Sequence, residues 1–219
     1  AASSMLEVAV DDLELADGAV RVKGSDLKRS LGQIAHALGG VAGFSLPASI
    51  TPGLAAAIDY QPPAITYTNG SHVVEVEVDT ETGRVRLTRY VVVHDCGRMI
   101  NPMMVEGQVH GGVAHGIGMT LYEWMRYDDA GQPLTVTFAD YLLPTSDGVP
   151  HIEIHHMESP TPLNPLGVKG AAESGTIGAP PAIVSAIEDA LRPMRVRISD
   201  LPVTPDRLLA LIRAARDRV

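Results

Sequence analysis

Cysteine is nearly absent: Cys96 is the one example in 219 residues. That excludes an internal disulfide and any thiolate cage for zinc or an iron–sulfur cluster. Basic charge is also scarce, with 17 Lys and Arg against 26 Asp and Glu and a net charge of −9. A chain so acidic, with no Lys/Arg run, is a poor nucleic-acid partner, because neutralising phosphate dominates such affinity. No apolar run approaches the ~20 residues of a membrane span. The zinc pattern His-Glu-x-x-His and the nucleophile elbow Gly-x-Ser-x-Gly do not occur. The eight histidines form no ligand set by spacing either. His110 and His115 diverge by ~140° on a helix, and His155 and His156 point to opposite faces of a strand. A reducing, cytoplasmic location suits the lone thiol.

What is present is a globular composition, 45% apolar and 20% charged, enough for one large domain or two small ones. Residues 1–6 read like the last turns of a helix, as if the chain were a piece of something longer. Alternation on both sides of Asp17-Gly18 predicts a hairpin over 12–22. Ser25 is the expected cap of a helix over 27–38, with Leu27, Leu31, Ile34 and Leu38 on one face. Residues 39–70 carry no period and read mostly as loop. Val74, Val76 and Val78 mark a strand over 72–79, and after a turn at 80–83 a longer strand runs over 85–93. Its all-apolar end, Val91-Val92-Val93, predicts a central, doubly covered strand. A loop at 94–102, a helix over 103–125, a second hairpin over 124–138 and a short strand at 152–156 follow. Then come a loop over 160–178, a helix over 180–191, a strand at 196–198 and a last helix opened by Thr204-Pro205, with Leu208, Leu209 and Ile212 inward. Strands and helices alternate irregularly, which predicts an α+β class with mixed sheets and packed helices.

Three places could carry chemistry. The first is the helix holding Gly107, Gly111, Gly112, Gly116 and Gly118. Each helical glycine costs ~1 kcal/mol relative to alanine, so five need a reason. Either the helix packs closely on a neighbour, or it bares a face for a bulky ligand beside Gln108, whose amide both donates and accepts. The second is the loop from Gly167 to Gly178, with four glycines, two alanines, Lys169 and a single acid, Glu173. So little side-chain bulk leaves the main chain as the surface, running into a helix start that favours anions. Glu173 is either a surface carboxylate or a general base held in a tight loop; spacing does not choose. The loop lacks the Gly-Lys-Ser/Thr ending of a phosphate loop and the strand-linked dinucleotide fingerprint. The third is Asp95-Cys96-Gly97 at the end of the apolar strand, where ligand contacts tend to gather.

Taken in order, five motifs resemble one family. They are Val93-His94-Asp95-Cys96-Gly97-x-x-Ile100-Asn101-Pro102, Glu106-Gly107-Gln108-Val109-x-Gly111-Gly112, Ala139-Asp140-Tyr141-Leu142-Leu143-Pro144-Thr145, Pro162-x-Asn164-Pro165-x-Gly167-x-Lys169-Gly170-x-x-Glu173 and Leu201-Pro202-x-Thr204-Pro205. Together they look like the C-terminal part of the molybdenum-binding large subunit of the molybdenum hydroxylases. That group includes xanthine dehydrogenases, aldehyde oxidoreductases and aerobic carbon monoxide dehydrogenases. The resemblance implies that residues 1–70 are a hairpin, helix and loop segment of the cofactor-binding domain. Residues 71–219 would be its main segment, with the active-site loop 167–178. It implies a molybdenum ion on a pterin dithiolene, in bacterial members commonly as the cytosine dinucleotide, so protein metal ligands are not needed. The position of Glu173 matches the catalytic base, which takes a proton from the water-derived hydroxyl that attacks the substrate carbon. Gln108 matches a residue touching the pterin. Asp95, Cys96 and Gly97 match a loop near the dinucleotide end, and Lys169, Gly170, Ala171 and Ala172 match the strip before the base. The substrate would be an aldehyde, an N-heterocycle or a similar small molecule. The partners implied are the remaining half of the subunit and iron–sulfur (2Fe-2S) and flavin (FAD) chains or domains. Two departures stand out: Ala172 where many members have glycine, and Ser174 where others have proline. A non-catalytic cofactor-binding or assembly domain, and a nucleotide-binding module built on the 167–178 loop, are the alternatives.

Overall fold

The computed structural model describes residues 1–40, 50–55 and 57–217. It divides into two compact units, 1–61 and 62–219.

The first unit holds a short helix α1 (Ala2–Leu6), a three-stranded antiparallel sheet and a helix α2 (Leu31–Leu38). Its strands β1 (Leu13–Ala16) and β2 (Ala19–Val22) form the hairpin, turning at Asp17 and Gly18, both at positive φ. The predicted helix start is wrong by four residues. Lys28–Ser30 forms a third strand, β3, paired to β2, and Ser25 instead accepts a bond from the Leu27 amide within a turn. The true cap is Ser30, in a reciprocal capping box with Gln33. Leu27 and Leu31 are therefore exposed, and Ile34, Ala37 and Leu38 make the buried face. A three-residue polar strand has no apolar period to reveal it. Part of the expected 39–70 loop, residues 41–49 and 56, lies outside the described residues.

The second unit is built on the sheet β4 (Asn69–Val78), β5 (Val85–Asp95) and β6 (Ile152–His156), in that order, with β5 central. β4 pairs antiparallel and β6 parallel, so the sheet is mixed. Tyr90, Val92 and His94 on one face of β5 are fully buried, while Val91 and Val93 on the other are half-buried. The buried face is covered by α3 (Pro102–Leu121), α5 (Ala179–Ala190) and α6 (Pro205–Arg216). Their inward residues repeat at four-residue steps: Val109, Val113, Ile117 and Leu121; Ile183 and Ile187; Leu208 and Ile212. This is the stripe that a helix of 3.6 residues per turn presents to a core. Leu209, expected inward, is half-buried at the edge.

Several expected boundaries move, each for a local reason. β5 continues to Asp95, so His94 and Asp95 belong to the strand and not to the loop after it. α3 starts at Pro102 under an Asn101 cap and stops at Leu121, because Tyr122 and Glu123 both donate back to the Gly118 carbonyl. The 124–138 hairpin is reduced to one bridge, Tyr127 with Pro133. The Asp128 amide donates to the Gln132 carbonyl and the Leu134 amide to the Arg126 carbonyl, and beyond that rung the Thr135 hydroxyl accepts from the Arg126 amide and donates to the Trp124 carbonyl. Residues 196–198 form no strand, since the Ile198 amide is taken by the Glu188 carboxylate. The long 160–178 loop contains a one-turn helix α4 (Ser174–Ile177), and α5 begins at Ala179. Among the described residues no helix is long and apolar enough to cross a membrane.

Candidate functional site

Past the end of β5 the chain meets the 159–169 segment. Gly97 forms an antiparallel bridge with Val168. The Arg98 amide donates to the Gly167 carbonyl at 3.0 Å and the Lys169 amide to the Cys96 carbonyl at 2.7 Å. A side chain at Gly97, whose φ is +69°, would come within 2.2 Å of the Gly167 oxygen, so only glycine permits this approach. Asn164 holds Val168 from both sides, donating to its carbonyl and accepting from its amide.

Inside this junction lies a nearly closed polar cluster. The Asp95 carboxylate accepts from the Gly97 amide at 2.8 Å, the Ser159 amide at 3.2 Å, the Lys169 ammonium at 3.3 Å and the Ser159 hydroxyl. Lys169 also donates to the Ser159 oxygen at 2.7 Å. The Lys169 and Asp95 side chains are only 12% and 11% exposed. Burial alone would raise the Asp95 carboxyl, but these donors outweigh it and hold it at about 2. Cys96 is buried, and burial pushes its thiol up, with the Asp95 and Glu158 charges adding to the rise. The nucleophilic form of a cysteine is its thiolate, so Cys96 is held in its unreactive form. The charges of Asp95 and Lys169 are thus directed at each other, and their effect is to pin the strip that follows Lys169.

That strip is bare. Gly170, Ala172 and Glu173 are exposed and Ala171 half-buried. Among the described residues, none of the four amides at 170–173 donates to another group of the chain. A methyl added at Gly170 would meet nothing nearer than the Thr66 oxygen at 4.0 Å. Glu173 stands at the N-terminal boundary of α4, its carbonyl receiving the Thr176 and Ile177 amides. Its carboxylate makes no capping bond and faces outward.

α4 rests on α3 through glycine against glycine. A methyl at Gly112 would lie 2.8–2.9 Å from the main chain of Gly175 and Thr176, and one at Gly175 would lie 2.5 Å from the Val109 oxygen. Gly116 meets Ala179 and Gly118 meets the Glu123 carboxylate in the same way. Gly107 and Gly111 have nothing within 4 Å. The close-packing reading of the glycine helix holds for some of its glycines and not for others. Gly112, Gly116 and Gly118 serve packing, and Gly107 and Gly111 leave a bare strip beside the exposed Gln108. The structure brings Asp95, Cys96, Gly97 and Lys169 together. It sets the 170–173 strip between that cluster and α4, and rests α4 on α3 next to Gln108.

Sequence patterns did not single out Ser159, Thr68 or His72, and Asn164 lay inside a motif without a role of its own. Thr68 bonds the Asp95 carbonyl at 2.9 Å and the His94 ring at 3.0 Å. His72, on β4, bonds the Tyr90 hydroxyl at 2.9 Å and lies against Gly178. Ser159, Thr68 and His72 are single polar residues outside the motifs; His72, at the head of the alternating valines of β4, carried the one signal among them. Among the described residues no three of His, Cys, Asp and Glu gather as a metal site. Open amides at 170–173 and glycines free of side-chain bulk leave main chain exposed, a surface that fits a large ligand lying against it.

Comparison with known proteins shows the family. The family model described as a molybdopterin cofactor-binding domain matches residues 1–150. The nicotine 6-hydroxylase large subunit of Paenarthrobacter nicotinovorans is 40% identical, over 99% of this chain and 26% of that protein. The carbon monoxide dehydrogenase large chain of Hydrogenophaga pseudoflava is 38% identical, over 94% of this chain and 25% of that one. The crystal structure of quinoline 2-oxidoreductase from Pseudomonas putida 86 superposes with a TM-score of 0.92 at 42% identity, covering 97% of this chain and 27% of that one. The chain thus spans about a quarter of the length of the relatives it matches.

Proposed function

The chain belongs to the molybdopterin cofactor-binding family, as part of a molybdenum hydroxylase large subunit, and from that premise we propose that it carries the cofactor cradle and the general base of such an oxidoreductase. The observation that carries the reading is the bare 170–173 strip, with four open amides ending on an exposed Glu173. Gln108 and the amides at 170–172 would hold the pterin end of the cofactor. Asp95, Cys96, Gly97 and Lys169 would shape the side toward its dinucleotide, taken here to be the cytosine form. When bound, the group supplies the two-electron redox chemistry and the metal that the protein side chains do not.

The chain's own contribution is positional and protonic. The Asp95–Lys169–Ser159 cluster fixes the start of the strip, and the packing of α4 on α3 fixes its end. Glu173 then accepts the proton of the attacking water-derived hydroxyl at its carboxylate, as a general base within hydrogen-bond reach does. Small side chains at 170–172 leave room for a flat substrate. The names of the 40–42% identical relatives, a nicotine hydroxylase and a quinoline oxidoreductase, support an N-heteroaromatic compound as substrate class. Electrons would leave through iron–sulfur and flavin partners, in the cytoplasm. Residues 1–70 serve as the lead-in segment and 71–219 as the working one. Native mass spectrometry of the complex from its own cells, with molybdenum and released cytidine nucleotide measured on the same sample, tests this. One molybdenum and one nucleotide per subunit, with larger partners present, are expected. A metal-free chain without nucleotide in the assembled complex refutes it.

A further inference from the structure

His72 lies on β4, outside every motif that the function above uses. Its ring lies on the junction between α4 and α5: a methyl placed on Gly178 would fall 2.5 Å from its Cδ2 and 2.7 Å from its Nε2. Glycine at 178 is therefore the notch into which the imidazole fits. On its other side, Nδ1 is 2.9 Å from the Tyr90 hydroxyl, and the two rings meet edge to face, 83° apart. Tyr90 is completely buried in the central strand, so it is a rigid anchor. Burial raises the Tyr90 hydroxyl and lowers the His72 imidazole, the latter opposed by the Ser174 backbone beside the ring. The imidazole proton is directed at the Ser174 backbone, so Nδ1 is the acceptor and the Tyr90 hydroxyl the donor. The imidazole proton is then left on Nε2, facing the α4 backbone.

We infer that His72 is a positioning residue, a strut from the core tyrosine to the α4–α5 junction that sets where Glu173 stands. The inference rests on the base reading of Glu173 only for its consequence in turnover; the mechanical part stands without it. α4 is a single turn with no side-chain cap. It is held from one side by α3, through Gly112 and Gly175, and from the other by His72 through Gly178. Removing one of two supports lets a one-turn helix shift, and a shift near 1 Å at a reacting group costs about 100-fold in rate.

The test uses the assembled, molybdenum-loaded enzyme carrying His72→Ala, His72→Gln or Tyr90→Phe. Amide hydrogen exchange over 174–178, steady-state kinetics and metal content are read on each. His72→Ala is expected to speed exchange there at least tenfold and to lower kcat about 10- to 100-fold, with KM and molybdenum unchanged. His72→Gln, which keeps a donor facing α4, is expected to recover most of both. Tyr90→Phe removes only the hydroxyl anchor and is expected to produce a weaker form of the same change, which keeps the test alive if the alanine variant does not fold. Unchanged exchange over 174–178 overturns the inference. So does a loss of molybdenum in step with kcat, which marks a merely structural role. If Glu173→Gln keeps full turnover, the base assignment fails instead, and the exchange result alone still decides the strut.

Discussion

Exchanging single glycines along α3 for alanine separates the two purposes of that helix. At Gly112 the added methyl would lie 2.8 Å from the Thr176 nitrogen and 2.9 Å from the Gly175 Cα. Carbon atoms rest at about 3.5–4.0 Å, so α4 has to retreat by roughly 1 Å. Both obstacles are main chain, and no flexible side chain can turn away. Overpacking of this kind costs about 1–3 kcal/mol, of which ~1 kcal/mol is offset by removing a helical glycine. At Gly111 nothing lies within 4 Å, so alanine there brings only the gain of ~1 kcal/mol. In the assembled enzyme, amide exchange along α3 is expected to slow about fivefold for Gly111→Ala, the equivalent of that 1 kcal/mol. It is expected to quicken over α4 for Gly112→Ala. Turnover of Gly112→Ala falls about 100-fold because Glu173 rides on α4. Gly111→Ala instead loses cofactor content, its methyl standing on the bare strip beside Gln108. If the two variants behave alike in exchange, the division of α3 into packing and bare glycines is wrong.

Removing one partner of the buried Asp95–Lys169 pair, by Asp95→Asn or Lys169→Met, should cost about 3–5 kcal/mol, because the other charge is left buried and alone; chemical denaturation of the subunit measures it. The pH dependence follows from the Asp95 carboxyl, held at about 2 against an ordinary value of 3.8. A depressed carboxyl contributes stability that is complete above pH ~4 and is lost as pH falls through 2, about 2 kcal/mol in all. An acid titration that shows no Asp95-dependent loss between pH 4 and 2 contradicts this. Cys96, buried and with its thiol pushed up, should resist iodoacetamide at pH 8 in the folded enzyme and react at once when unfolded. Rapid native-state labelling of Cys96 would show that the 96–98 junction is open.

Much of the second unit could be read from sequence because its elements have clear periods. The valines of β4 lie against the core and β5 takes the central place as expected, but only one face of β5 is fully buried, and of the three residues expected inward on α6 Leu208 and Ile212 are buried while Leu209 is not. What could not be read was settled by single side chains competing for main-chain groups. Glu188 took the amide that a strand at 196–198 needed, and Thr135 took the Arg126 amide that a longer hairpin ladder needed. Ser30, and not Ser25, won the cap of α2 because a polar third strand occupied the residues between. The candidate site was legible as motifs but not as geometry. Nothing in the spacing told that Asp95 and Lys169 face each other, or that Gly112 and Gly107 serve opposite ends. The roles of Ser159 and His72 could not be read because their partners are 64 and 18 residues away in sequence.

The most direct test of the central claim is Glu173→Gln in the complete, molybdenum-loaded enzyme, with turnover and metal content measured on one sample. Gln keeps the shape and size of the side chain but cannot take a proton at neutral pH. Turnover should fall by about 10²–10⁴-fold, the usual worth of a general base, while molybdenum and nucleotide stay at the wild-type level. Turnover within a factor of two of wild type, with metal intact, would contradict Glu173 as the base.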